Sequence, residues 1–222
     1  MTTVDGDPHP PLLYPDYRAT RTRAPSRPLV DLAPSVTELS GPVLPETRVG
    51  ELDHDLTAQH GGQPLGERIV VHGRVRETNG RPVPDTLVEV WQCNAAGRYR
   101  HANDRHPAPL DPNFSGGGRT VTDGEGRYSF TTIKPGPYPW RNHHNAWRPA
   151  HIHFSLFGTA FATRLVTQMY FPGDPLFGQD PIFDSAGTDR GRLVARFDLE
   201  QTVPEWALAY EYDIVLRETP FE

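Results

Sequence analysis

The sequence predicts an all-β protein: a β-sandwich with long loops, short helices and an extended proline-rich N-terminal arm. Three observations carry that expectation. From Arg68 onward, short runs of β-branched and aromatic residues recur; clusters of Gly, Pro, Asn and Asp separate them; and no stretch shows the apolar period of a long amphipathic helix. The 24 prolines and 20 glycines make up about a fifth of the 222 residues, a load that many turns between short strands explain. A chain of this length fits one sandwich plus an arm. No internal repeat is visible.

Residues 1–66 form the expected arm, because Pro8, Pro10, Pro11, Pro15, Pro25, Pro28, Pro34, Pro42 and Pro45 interrupt any periodicity. Ordering such a segment costs conformational entropy, so the arm should either be mobile or lie against the body or a partner subunit. Within it, Glu51 to Leu56 suggests a short helix. The sandwich domain spans 67–222. Ile69 to Val75 and Thr86 to Trp91 are strands, and the Asn79-Gly80 turn between them predicts a hairpin. A second turn at Asp123-Gly124 and Gly126 precedes a strand at Arg127 to Thr131. Further strands are expected at Ala150–Leu156, Arg164–Phe171 and Tyr210–Arg217.

Charge and cysteine content limit the function classes. The net charge of -6, with 22 Lys and Arg scattered along the chain, gives no basic footprint for nucleic acid. One cysteine, Cys93, excludes an internal disulfide and suits a reducing compartment. No apolar run approaches a membrane span, and Met1 to Pro11 lacks the pattern of a signal peptide, so the expected address is cytoplasmic.

The chemistry concentrates between Tyr138 and His153, where a phenol, two indoles, guanidinium groups and imidazoles crowd together. In a strand, His151 and His153 point to one face and Ile152 to the other, so two ring nitrogens can converge on a metal. The residues alone leave this open, since a His-x-His is also common as a hydrogen-bonded or surface pair. Tyr99 and Tyr138 are the candidates to complete a metal site. A phenol ordinarily titrates near pH ~10, so two phenolates would point to a strongly charged ion such as ferric iron. Zinc would want a carboxylate or thiolate beside the two imidazoles, and none lies close by. His143 and His144 sit in a polar loop and are expected to be solvated.

The segments Leu87 to Gln92, Gly97-Arg98-Tyr99-Arg100-His101, Asn103 to Arg105, Ala108 to Phe114, Thr132 to Asn142 and Trp147 to Phe154 closely resemble the intradiol ring-cleaving dioxygenase family, in particular its protocatechuate-cleaving branch. The similarity extends to Asp53-His54-Asp55-Leu56, Gly66 to Ile69 and Asp213 to Arg217, and is loosest in the proline-rich start. The resemblance implies one non-haem Fe(III) per chain, held by Tyr99, Tyr138, His151 and His153 with a solvent hydroxide. It implies that Tyr138 doubles as an internal base, that Arg148 and Gln168 face the bound ring and oxygen, and that Trp140 and Ile182 line the ring pocket. It implies as well that Tyr17 matches a family residue contacting substrate. The implied reaction opens protocatechuate with O2 between its two hydroxyl-bearing carbons, in aromatic-compound catabolism, without nicotinamide or flavin. The implied partner is a homologous α chain lacking iron ligands. The segments Gly158 to Thr163 and Phe177 to Ala186 match less well, which bears on pocket shape. Catechol or hydroxyquinol 1,2-dioxygenase, a zinc hydrolase and a non-catalytic sandwich that binds through its aromatic face are the alternatives. The first of these would want a helical N-terminal region that the prolines here oppose.

Overall fold

A computed structural model describes residues 10–30, 49–141, 144, 147–157 and 164–216. Two sheets make the expected sandwich. The strands are β1 (Arg68–Glu77), β2 (Leu87–Trp91), β3 (Gly117–Val121), β4 (Arg127–Ile133), β5 (Tyr138–Pro139), β6 (Trp147–Arg148), β7 (His151–Phe157), β8 (Arg164–Tyr170), β9 (Arg196–Val203), β10 (Ala207–Glu211) and β11 (Ile214–Leu216). In the first sheet β4 lies antiparallel to one edge of β1, while β10 and β11 run parallel to its other edge and β9 follows β10. The second sheet has the order β3-β2-β7-β8, and β5 and β6 form a separate ribbon. The helices are short: α1 covers Thr20–Arg23 and α2 covers Pro181–Ser185.

The alternation in the sequence explains the core. Val71 and Val75 from β1 and Tyr128 and Phe130 from β4 face Val88, Val90, Ile152, Phe154 and Leu156 from the second sheet. Phe154 meets Tyr128, Phe130 and Tyr212 with ring centroids 6.0, 5.8 and 5.3 Å away. Each such ring contributes roughly 1.5–3 kcal/mol by leaving water. The Tyr128 hydroxyl donates to the Tyr212 carbonyl, so its polar end is satisfied inside the core. Gln92 stitches the layers together by donating to the Ile133 carbonyl at 2.7 Å and accepting from Thr132 at 2.9 Å.

Three expectations change. The hairpin of the first two strands does not form, because β1 and β2 belong to different sheets. The Asn79-Gly80 turn is present, but the returning arm bridges only at Arg76 and Pro82. Pro82 and Pro84 supply no N–H for a ladder, and Asp85, at φ 52°, redirects the chain into the other sheet. Glu51 to Leu56 is a run of turns instead of a helix, since Asp55 bridges Thr131 and the Leu56 amide donates to the Thr131 carbonyl at 2.9 Å. Leu56 thereby enters the core. The last strand is two strands, interrupted where the Asp213 carboxylate accepts from the Arg74 amide at 2.8 Å. Its end at Arg217 and the loop Gly158 to Thr163 lie outside the described residues, as does His143. Four strands were not foreseen: β3, β9 and the two-residue pair β5 and β6. Gly118 in β3 suggests a turn, yet it is required there because a Cβ would stand 2.3 Å from Leu56 Cδ1.

Candidate active site

The site occupies one end of the second sheet. Cross-strand register gathers it: Trp91 pairs with His153, His153 with Gln168, and His151 with Tyr170, so these side chains share a face. Ile152 and Met169 take the opposite face and are fully buried. The ribbon places Tyr138 directly opposite Arg148. Tyr99 arrives from the loop after β2. There the Asn94 side chain accepts from the Ala96 and Arg98 amides at 3.0 and 2.9 Å, and the Tyr99 amide donates to Asp104 at 2.7 Å. Gly97, at φ 78°, lets this loop lie directly on the Pro137 carbonyl; a Cβ would stand 2.3 Å from that oxygen. The loop sequence thus brings Tyr99 against Tyr138.

The four candidate ligand side chains form a circuit of neighbouring rings. Centroids lie 5.4 Å apart for Tyr99 and Tyr138, 5.4 Å for Tyr138 and His151, 4.9 Å for His151 and His153, and 6.4 Å for His153 and Tyr99. His151 Nδ1 sits 2.7 Å from the Pro149 carbonyl and must donate to it, which leaves Nε2 as an acceptor. Tyr138 Oη and Arg148 Nη1 approach that nitrogen at 3.3 and 2.9 Å. His153 stacks on Trp91 at 4.8 Å with the planes 2° apart. His101 does not join the cluster, since its Nδ1 accepts from the Asn103 amide in its own loop. His144 is exposed.

Electrostatics follow from burial. Desolvation, then the Arg148 charge, hold His151 well below its ordinary pKa and His153 at about 3, so both are neutral near pH 7. Desolvation pushes both phenols up, with the Tyr138 phenol adding to the rise at Tyr99 and Arg148 opposing it at Tyr138. Among the described residues no three His, Cys, Asp or Glu side chains gather as a metal group, so any ion held here depends on the phenols. Tyr99 Oη tests the fit. It is buried and has no hydrogen-bond partner, an orphaned oxygen that a hard, highly charged ion would satisfy.

Arg148 is 3% exposed and richly held. Nε and Nη2 donate to Asp180 Oδ2 at 3.1 and 2.8 Å, and Nη2 also reaches Gln168 Oε1 at 2.5 Å and Tyr170 Oη at 2.9 Å. Burial opposes its charge, but Tyr170 and Asp180 outweigh burial and raise its pKa. Trp140 lies 5.3 Å from the guanidinium carbon, and Tyr17 packs on Trp140 at 5.2 Å. The arm therefore reaches the site, with Arg18 donating to the Arg141 carbonyl at 3.4 Å. Ile182 lies in the first turn of α2, its amide donating to Asp180 Oδ1 at 3.0 Å. Every residue selected from the sequence falls in this neighbourhood. Trp91, Tyr170 and Asp180 were not selected. Tyr170 was detectable as the same-face neighbour of Gln168 on β8, and Asp180 as the cap before Pro181.

The fold and these side chains define a class: the chain belongs to the intradiol ring-cleavage dioxygenases, enzymes that open catechols between their hydroxyl groups. A sequence profile described as Dioxygenase matches residues 39–218, and one described as "Protocatechuate 3,4-dioxygenase beta subunit N terminal" matches residues 4–35. Within that class the likeness is particular. The protocatechuate 3,4-dioxygenase beta chain of Burkholderia cepacia is 58% identical over 228 residues, covering 100% of this chain and 97% of the relative. The hydroxyquinol 1,2-dioxygenase of a Rhizobium species is 34% identical over 129 residues, 53% of this chain and 42% of that one. Among solved structures, the 3-chlorocatechol 1,2-dioxygenase of Rhodococcus opacus aligns with a TM-score of 0.58 at 26% identity, covering 79% of this chain and 68% of that one. The family expectation raised by the motifs is met. Among the described residues no helix is long and apolar enough to cross a membrane.

Proposed function

We propose that the chain is the iron-bearing β chain of a protocatechuate 3,4-dioxygenase, converting protocatechuate and O2 to 3-carboxy-cis,cis-muconate in aromatic-compound catabolism. The observation that carries this reading is the circuit of Tyr99, Tyr138, His151 and His153 around one point, with Tyr99 Oη buried and unpartnered. These four side chains would hold one Fe(III): two neutral imidazoles and two phenolates suit a hard trivalent ion. What ferric iron supplies when bound is a Lewis acid that takes a catechol as its dianion and prepares the ring to react with O2.

The chain's own residues account for binding and proton handling. A catechol that enters as a dianion sheds two protons: the Tyr138 phenolate would take one, and the solvent hydroxide implied beside it would take the other as water. The Arg148 guanidinium, 3.4 Å from that oxygen, stabilises the anionic form before the transfer and stands beside the ring carbons that gain negative charge. Gln168, hydrogen-bonded to Arg148, faces the same space. Trp140 and Ile182 form the apolar walls that hold the ring, and Tyr17, packed on Trp140, closes the side reached by the arm.

The 58% identity to a beta chain and the match of an N-terminal beta-subunit profile support a homologous α chain as partner. In this reading the α chain lacks the iron ligands, the proline-rich start of the 1–66 arm reaches onto it, and 67–222 form the catalytic domain, into whose core Leu56 at the end of the arm packs. The free, buried Cys93 fits a cytoplasmic address. The test is a visible spectrum of the protein co-expressed with its α chain, before and after anaerobic protocatechuate. A broad tyrosinate-to-iron band that shifts with substrate is expected. A featureless spectrum of iron-replete protein removes Tyr99 and Tyr138 as ligands.

A further inference from the structure

We propose that Asp180 is a positioning residue whose carboxylate fixes the Arg148 guanidinium and, through the same group, the helix that carries Ile182. The inference rests on the functional reading above for what Arg148 does, and adds a residue to which that reading assigns no part. Asp180 is fully buried opposite an Arg148 that is 3% exposed. Its Oδ2 receives three donors, Arg148 Nε at 3.1 Å, Arg148 Nη2 at 2.8 Å and Tyr170 Oη at 2.9 Å. Its Oδ1 receives the Ile182 amide at 3.0 Å.

A guanidinium is a rigid planar fork, so pinning two of its nitrogens fixes where the third points. Here the third, Nη1, points at His151 Nε2 and Tyr138 Oη, 2.9 and 3.4 Å away. Without Asp180 the buried cation would lose its counter-charge, and turning toward water would become its best alternative. Helix α2 has only five residues, too few to hold itself, so its placement depends on the cap that Asp180 provides. Guanidinium and ring-pocket wall therefore share one anchor. The contacts of the Asp180 side chain fall on Arg148, Tyr170 and its own helix, which makes its effect on chemistry indirect.

The test compares the full-length protein with Asp180→Asn, Arg148→Met and the double variant. Asp180→Asn keeps the shape and the cap acceptor but removes the charge. Its thermal midpoint should fall by about 6–20 °C, and adding Arg148→Met should recover at least half of the loss, because the buried cation is gone. Simple additivity of the two losses overturns the anchor. In folded Asp180→Asn the tyrosinate-to-iron band and KM should hold, while kcat falls roughly tenfold to a hundredfold; an unchanged kcat overturns the positioning role. Should Asp180→Asn fail to fold, Tyr170→Phe keeps both charges and removes one donor. It should lower kcat several-fold with the band in place, and an unaltered kcat again overturns the clamp. A missing band in the unsubstituted protein counts against the proposed function instead, and the thermal cycle still decides whether Asp180 anchors Arg148.

Discussion

The two faces of β7 carry opposite chemistries over the same few residues. Ile152, Phe154 and Leu156 point into the sandwich and are 0% exposed, touching apolar neighbours throughout. His151 and His153 point the other way, into a cluster where both nitrogens of His151 have named partners and the His153 ring lies flat on Trp91. The apolar face depends on volume, which neighbours can share, whereas the imidazole face depends on atom positions, which they cannot. One strand can thus serve stability and chemistry because the pleat keeps the two requirements on separate sides.

Substitutions on either side sharpen that contrast. Tyr99→Phe removes one phenolate from the imidazole side and is expected to weaken and shift the charge-transfer band, leaving the Tyr138 contribution, and to abolish ring cleavage while the protein still folds; an unchanged band would show that the ligand lies elsewhere. Phe154→Ala on the apolar side should cost about 3–5 kcal/mol of stability, read from thermal unfolding, with the band kept below the melt. Arg148→Ala should retain iron and colour but lose roughly a hundredfold to a thousandfold in kcat, and unchanged turnover would break its electrostatic role.

The pH dependence separates the imidazoles from the phenols. Both phenols are raised by burial and carry their protons near neutrality, whereas His153, at about 3, is already bare. Binding iron through two phenolates must then release two protons, so affinity should rise about a hundredfold per pH unit between pH 6 and 8. Calorimetric titration with chelated ferric iron in two buffers of different ionisation enthalpy measures that release, and a value near zero would eliminate the phenolate pair. The smallest effect belongs to the surface. Arg196, paired with Glu211 at 2.9 Å on the first sheet, is 67% exposed, and Arg196→Ala should leave the melting temperature unchanged.

Much of this was legible in the residues, for local reasons. Strands with a buried face, such as β1, β2 and β7, show themselves by alternation. Strand β9 does not, because Arg196, Phe197, Leu199 and Glu200 are all exposed along an outer strand and no alternation survives. The missed sheet assignment of β1 and β2 came from a turn that is real but joins only the first bridge; which sheet a strand enters is decided by residues far along the chain. The same distinction applies at the site. His-x-His and the Tyr99 and Tyr138 motifs are contiguous and recognisable, whereas the bond between Arg148 and Asp180 spans 32 residues and is created by the fold.

The parallel pairing of β1 with β10 and β11 bears on how the chain acquires its shape. Arg74 and Asp213 are 139 residues apart in sequence, yet their hydrogen bond sits within the first sheet. During synthesis the strands that carry the imidazoles emerge and can pair among themselves, while β1 waits for β10 and β11. Such a high contact order slows folding and leaves one edge of β1 unpaired until β10 and β11 have emerged, and an unpaired strand edge is open to aggregation in that interval.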